Sequence, residues 1–228
     1  MERVRSVAMS MMKSNDLLTI CKSVFTQLQI LGFTDLRAAQ IYIRNDEEEK
    51  FLNYDYSETT GADVVEINYN SHPNTRRIYD VIRSAGDGLV DNVIEKKDLE
   101  EWKSYLYDTL GQKPEKDLET AEELHYYLYS FGIGAFGICT FKTINIEELE
   151  ILKRFRNVFN LSYQRYSDIA LAEAQTRQAK IEAAMEKVRS RAMAMQKPDE
   201  LVEVAQLLRT EMGLLGVEGI RNQFHLYP

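Results

Sequence analysis

The sequence predicts an α+β protein: an antiparallel sheet flanked by helices, with long helices of coiled-coil type at both ends. Three observations carry this. Between residues 36 and 141, short alternating stretches are mixed with helical ones in no regular β-α order. From Leu171 onward, apolar and small residues recur at spacings of three and four. The opening of the chain is also written a second time near its end: MERVRSVAMSMMKSNDLLTICKSVFTQLQILGF (residues 1–33) aligns without a gap on MEKVRSRAMAMQKPDELVEVAQLLRTEMGLLGV (residues 185–217). Identities include Met1, Glu2, Val4, Arg5, Ser6, Ala8, Met9, Met11, Lys13, Leu17, Leu31 and Gly32.

In chain order, residues 1–13 read as the end of a coil, with Met1, Val4, Ala8 and Met11 on its seam. Ser14, Asn15 and Asp16 supply cap and first-turn chemistry for a new helix, in which Leu17, Cys21, Val24, Leu28 and Leu31 share a face until Gly32 stops it. LRAAQIYIRND alternates, with Ala39, Ile41 and Ile43 on one face and Gln40 and Tyr42 on the other. An acidic turn at 46–49 leads to FLNYDYSE, which places Leu52, Tyr54 and Tyr56 together, so the two stretches form a hairpin that ADVVEINYN extends. SHPNTRRIYDVIRSAGDG reads as a helix closed by Gly86 and Gly88, and LVDNVIEK as a short strand. DLEEWKSYLYDTLG is a second helix, with Leu99, Trp102, Leu106 and Leu110 on its apolar face, and QKPEKDLETAEE is expected as a charged surface loop. HYYLYSFGIGAFGICTF reads as a hairpin of two central strands. A last helix begins near Asn145 and runs unbroken into the coil.

That coil carries its seam on Leu171, Ala174, Gln178, Ile181, Met185, Val188, Ala192 and Met195, the expected interface of a parallel homodimer. Mixed charges lie between them, and the small or polar Ala174, Gln178 and Ala192 weaken the seam. A long amphipathic helix packed on its own domain is the competing reading of the same pattern.

The 228 residues carry 28 basic and 36 acidic side chains, a net charge of −8 that argues against a nucleic-acid surface. No apolar run reaches the length of a membrane span and the first residues form a charged helix, so a cytoplasmic location is expected. Cys21 and Cys139 are too few and too isolated for a disulfide framework or metal ligation, and no cofactor or metal is expected.

With GIGAFGICTF, followed by ELEILKRFRNVFNLSYQRYSDIALAEAQTRQAKIEAAMEKVRSRAMAMQKPDEL, the chain resembles GAF-like sensory domains with a coiled-coil signalling helix, as in Bacteroidetes multidomain sensor proteins of the histidine-kinase type. The resemblance implies tandem units: a coil segment in 1–13, a GAF-like domain in 14–166, a signalling helix in 167–197, and the truncated start of a second unit in 198–228. It also implies an output module beyond this chain and a small-molecule pocket between the sheet and its crossing helices.

The residues expected around such a pocket are Tyr54, Tyr56, Arg76, Tyr79, Trp102, Tyr105, Tyr127, Tyr129 and Phe136, aromatic groups with polar tips that serve equally well as core. Catalytic constellations are not evident. His72 with Asp80, and Glu100 with Glu101, are the nearest approaches to acid-base pairs, and adjacent helical residues point apart. The expectation is a non-catalytic sensory and dimerisation region, with a purely structural dimerisation spacer as the alternative and a small-molecule enzyme a distant third.

Overall fold

The structure, a computed structural model, describes residues 2–11, 16–84 and 88–217. Two units are distinguished, Met1–Tyr166 and Ser167–Pro228, and each is taken by itself.

In the first unit, α1 (Glu2–Met9) precedes α2 (Asp16–Ile30), which turns Leu17, Ile20, Cys21, Val24, Phe25 and Leu28 inward. Gly32, at a φ of 99°, ends α2 by letting the Phe33 amide donate back to the Leu28 carbonyl at 3.1 Å. There follow β1 (Leu36–Asn45), β2 (Lys50–Ser57), β3 (Gly61–Asn68), α3 (Pro73–Ser84), β4 (Leu89–Glu95), α4 (Lys96–Ser104), α5 (Lys116–Glu119), β5 (Glu123–Ser130) and β6 (Gly134–Thr140). The strands form one six-stranded sheet in the order β3-β2-β1-β6-β5-β4, and every neighbouring pair is antiparallel. β6, buried along its whole length, pairs with both β1 and β5, the placement that its apolar, glycine-containing sequence favours.

Helices cover both faces. On one face Ala39, Ile41, Tyr54, Phe136 and Ile138 meet α2 and the start of α6 (Ile146–Met193), which contributes Leu152, Phe155 and Phe159. Val4, Ala8 and Met11 belong to this same core, so residues expected to end a linker coil instead complete the body. Their three-and-four spacing is satisfied by burial alongside α2. The other face packs on α3 through Phe51, Ile67, Ile78 and Ile82, and on α4 through Ala38, Leu99, Trp102 and Leu106.

Two local features depart from expectation. α4 does not stay α-helical but runs into a π-helical turn at Tyr105–Thr109. The stretch expected as a surface loop contains α5 and two buried anchors, Leu118 at 0% and Glu115 at 4% exposure, because an apolar side chain and a buried basic partner both draw it inward.

In the second unit, the end of α6, a 3₁₀ turn at Pro198–Glu200 and α7 (Leu201–Leu214) form a helical hairpin. Several hydrogen bonds recur at matching positions of the sequence repeat. Phe33 to Leu28 and Gly32 to Gln29 correspond to Val217 to Met212 and Gly216 to Gly213. Ser10 to Ser6 and Met11 to Ala8 correspond to Ala194 to Ser190 and Met195 to Ala192. Thr26 and Thr210, also identical, bond the carbonyls of Lys22 and Gln206. Burial is what differs: Leu17 and Val24 are 2% and 0% exposed, while their counterparts Leu201 and Leu208 are 55% and 44%. Of the seam, Ile181 and Val188 are half-buried, and Leu171 and Met185 stand open. Residues 218–228, the last part of the expected start of a second unit, lie outside the described residues, as do Ser14, Asn15 and Gly86. Among the described residues no helix is long and apolar enough to cross a membrane.

Candidate functional site

Strand alternation sends Ala39, Ile41 and Ile43 of β1 toward α2, and therefore sends Gln40 and Tyr42 toward α3 and α4. The register places Asp55 opposite Gln40 and Asn53 opposite Tyr42, so four polar groups share that face. Both faces of the sheet are covered, so this polarity is buried: Gln40, Asn53 and Asp55 are 3%, 1% and 6% exposed.

A fifth group enters through an irregularity. The pairing of β1 with β6 shifts between Leu36 and Ala38, a β-bulge that leaves Arg37 as the surplus residue. Its guanidinium is buried, with Nη2 donating to Oε1 of Glu115 at 2.6 Å. Burial works against the Arg37 charge, but the acidic groups around it, Glu115 and Asp55 among them, outweigh that and hold it protonated. Nearby, Gln40 Nε2 donates to Asp55 Oδ2 at 2.6 Å and Trp102 Nε1 donates to the Tyr126 hydroxyl at 3.0 Å.

Beside this cluster is a cavity of about 10 Å³, lined by Arg37, Gln40, Tyr42, Asn53, Thr75, Trp102, Gln112 and Tyr126 together with apolar residues. That is room for one water molecule. Two of the lining residues carry a buried polar atom with no hydrogen-bond partner, Arg37 with Nε, a donor, and Asn53 with Oδ1, an acceptor.

Burial pushes the Asp55 carboxyl up to about 6, against the opposing pull of Arg37 and the Gln40 hydrogen bond. The sign follows from linkage. A carboxyl whose folded value exceeds its ordinary 3.8 costs nothing when both states are protonated, and its full penalty is present once pH exceeds the folded value. Asp55→Asn, which keeps an acceptor for Gln40, is therefore expected to match the parent near pH 3 and to exceed it by up to ~3 kcal/mol at pH 7.5. Urea melts at the two pH values check this, and an equal difference at both would refute it.

The expected pocket residues are divided by the sheet. Tyr54, Tyr127, Tyr129 and Phe136 are in the apolar core beneath α2 and α6, and Tyr56 packs against that core with its ring 5.4 Å from Phe25. Tyr79, Trp102 and Tyr105 lie on the opposite side; Tyr79 stacks on Tyr69 at 4.0 Å and Tyr105 on Trp102 at 5.1 Å. Arg76 is at the surface, paired with Asp80 at 3.0 Å. Of the nine, Trp102 alone lines the cavity. His72 and Asp80 do not meet, since His72 packs its ring 4.8 Å from Trp102 while Asp80 faces Arg76. Glu100 turns to Lys103 at 2.9 Å and Glu101 approaches His72 at 3.7 Å, so this pair diverges.

Arg37, Gln40, Asn53, Asp55 and Glu115 were not singled out by the sequence reading. The available signal was the alternation itself: polar residues in β1 and β2 lie on the face that the two following helices must cover.

No protein-family model, characterised protein or solved structure matches the chain.

Proposed function

We propose that the chain is a non-catalytic sensory and dimerisation region of a bacterial signal-transduction protein, with a GAF-like body, and that α6 relays the state of the body to an output module. The observation that carries this reading is α6 itself. It is one unbroken helix of 48 residues, about 72 Å long. It begins in the core of the body with Leu152, Phe155 and Phe159 and ends in a second copy of the hairpin with which the chain opens. A helix with this layout converts a small shift where it is packed into a change of register or crossing angle farther along. The weak Ala174, Gln178 and Ala192 positions keep alternative registers close in energy.

The test is self-association through the open part of the seam. Leu171→Asp with Met185→Asp, both positions more than half exposed, is expected to leave the body folded and to convert a parallel dimer to monomer in sedimentation velocity. A variant as dimeric as the parent would show that α6 is not the interface.

The alternative, a structural spacer without ligand, is favoured by one observation: the cavity has room for only one water as it stands. Spin labels on Ala174→Cys separate the two readings. A sensor changes its inter-label distance when its pocket is filled, and a spacer does not.

A further inference from the structure

We propose that the pocket at Arg37 binds a small amino carboxylate, a zwitterion of amino-acid size, and that the carboxylate of Glu115 occupies the ligand's carboxylate position. The inference rests on the sensory reading and names the ligand of that same site.

The Glu115 side chain supplies the geometry. It is carried by the connection between the π-helical turn and α5, yet its carboxylate is buried against a buried guanidinium at 2.6 Å. A socket shaped for a carboxylate therefore exists and is filled from within the chain. Arg37 has donors to spare, because a guanidinium presents five and Nε has no partner. Arg37 also lines two spaces at once, the internal cavity and an outer surface groove that Glu115 shares. Moving Glu115 off Arg37 thus joins the groove to the cavity and provides a route in.

Two observations specify the rest of the ligand. Asn53 lines the cavity, and its Oδ1, on a residue 1% exposed, accepts no hydrogen bond, which leaves an acceptor for a donor such as an ammonium group. The groove outside carries Asp35, Glu58, Asp117, Glu122 and Glu123 against Lys96 and Lys142. An acidic rim repels a bare anion at long range but leaves a net-neutral zwitterion unhindered. Size follows from the cavity: one water's space plus that vacated by a carboxylate admits a ligand with a side chain no larger than a methyl group or so. The neighbouring π-helical turn supplies a wall that can adjust, since its surplus residue allows a change of helical register with little loss of bonding, and Leu106 within it lines the cavity.

Trp102, the only tryptophan in the chain, lines the cavity and reports on it. The full chain would be titrated with L-alanine, propionate and propylamine, reading Trp102 fluorescence and the rate of tryptic cleavage after Lys116. Alanine is expected to give a saturable change at concentrations at least tenfold below propionate, propylamine none, and cleavage after Lys116 to quicken as Glu115 is displaced. Glu115→Gln, which removes the competing charge, should tighten alanine binding about tenfold. Arg37→Gln combined with Glu115→Gln neutralises both partners; with a cooperative melt confirmed, it should bind none of the three. No saturable response in either the parent or E115Q overturns the proposal, as does equal binding by the double variant. Saturable binding of propylamine instead overturns the amino-carboxylate class and leaves the sensory reading with a different ligand. Alanine binding without any change in the Ala174→Cys inter-label distance supports the site and counts against the sensory reading.

Discussion

Gly137→Ala is expected to leave the body unfolded or to cost it about 4 kcal/mol or more, among the largest losses a single methyl group can cause. Gly137 sits in β6, paired with Gln40 of β1 on one side and Leu128 of β5 on the other. A Cβ placed there would be 1.8 Å from the Tyr127 carbonyl oxygen and 2.8 Å from the Leu128 Cα. Both are backbone atoms of the neighbouring strand, so relief requires moving a ladder in the middle of the sheet rather than rotating a side chain. Gly213→Ala is the matched control. Nothing lies within 4 Å of its added Cβ, and alanine in α7 is expected to be neutral or stabilising by up to ~1 kcal/mol. Urea melts followed by circular dichroism compare the two, and near-parental stability of the Gly137 variant would mean that the β5–β6 pairing is looser than described.

Arg37→Ala is expected to cost about 3–5 kcal/mol, because it removes the counter-charge from a buried carboxylate. Glu115 is 4% exposed, and once its partner is gone it must be solvated by moving the chain, protonated, or left unpaired. The loss should be much smaller when both members of the pair are neutralised, since replacing a buried ion pair by an uncharged one of similar volume is often nearly neutral. A double-mutant cycle of Arg37→Gln and Glu115→Gln, read by equilibrium melts, measures the coupling. Additive losses would show that the two side chains are stabilised independently of each other.

The course of the chain was largely legible in its sequence. Alternation at 36–45 and 50–57, the proline that opens α3 and the glycines that close α2 and α7 are local signals, and local geometry follows from them. The repeat was informative for the same reason: identical caps at Gly32 and Gly216 produce identical hydrogen bonds. The pocket was not legible, because it depends on which side of a strand becomes covered. Polar alternation at Gln40, Asn53 and Asp55 has the pattern of a solvent-facing strand, and only the packing of α3 and α4 over that face turns it into a buried cluster. The aromatic residues misled in the opposite direction. Tyr54 and Trp102 share a residue class but not a side of the sheet, and parity along a strand outweighs chemical likeness. Glu115 was lost in a charged run because pairing across 78 positions of sequence leaves no local trace.

The bulge at Arg37 has a consequence for how such a pocket can be gained or lost. Inserting one residue into a strand ordinarily transfers every later side chain to the other side of the sheet, exchanging core for surface. A bulge absorbs the extra residue where it enters, so Ala39, Ile41 and Ile43 keep their places while a cation is added beside them. Deleting residue 37 as a single codon would accordingly leave a chain whose strand pairs regularly and whose apolar pattern remains in phase, but which has lost its guanidinium. The register of the sheet is thus indifferent to residue 37, and what its loss would expose is the buried carboxylate of Glu115, so the guanidinium and its partner have to be gained or lost together.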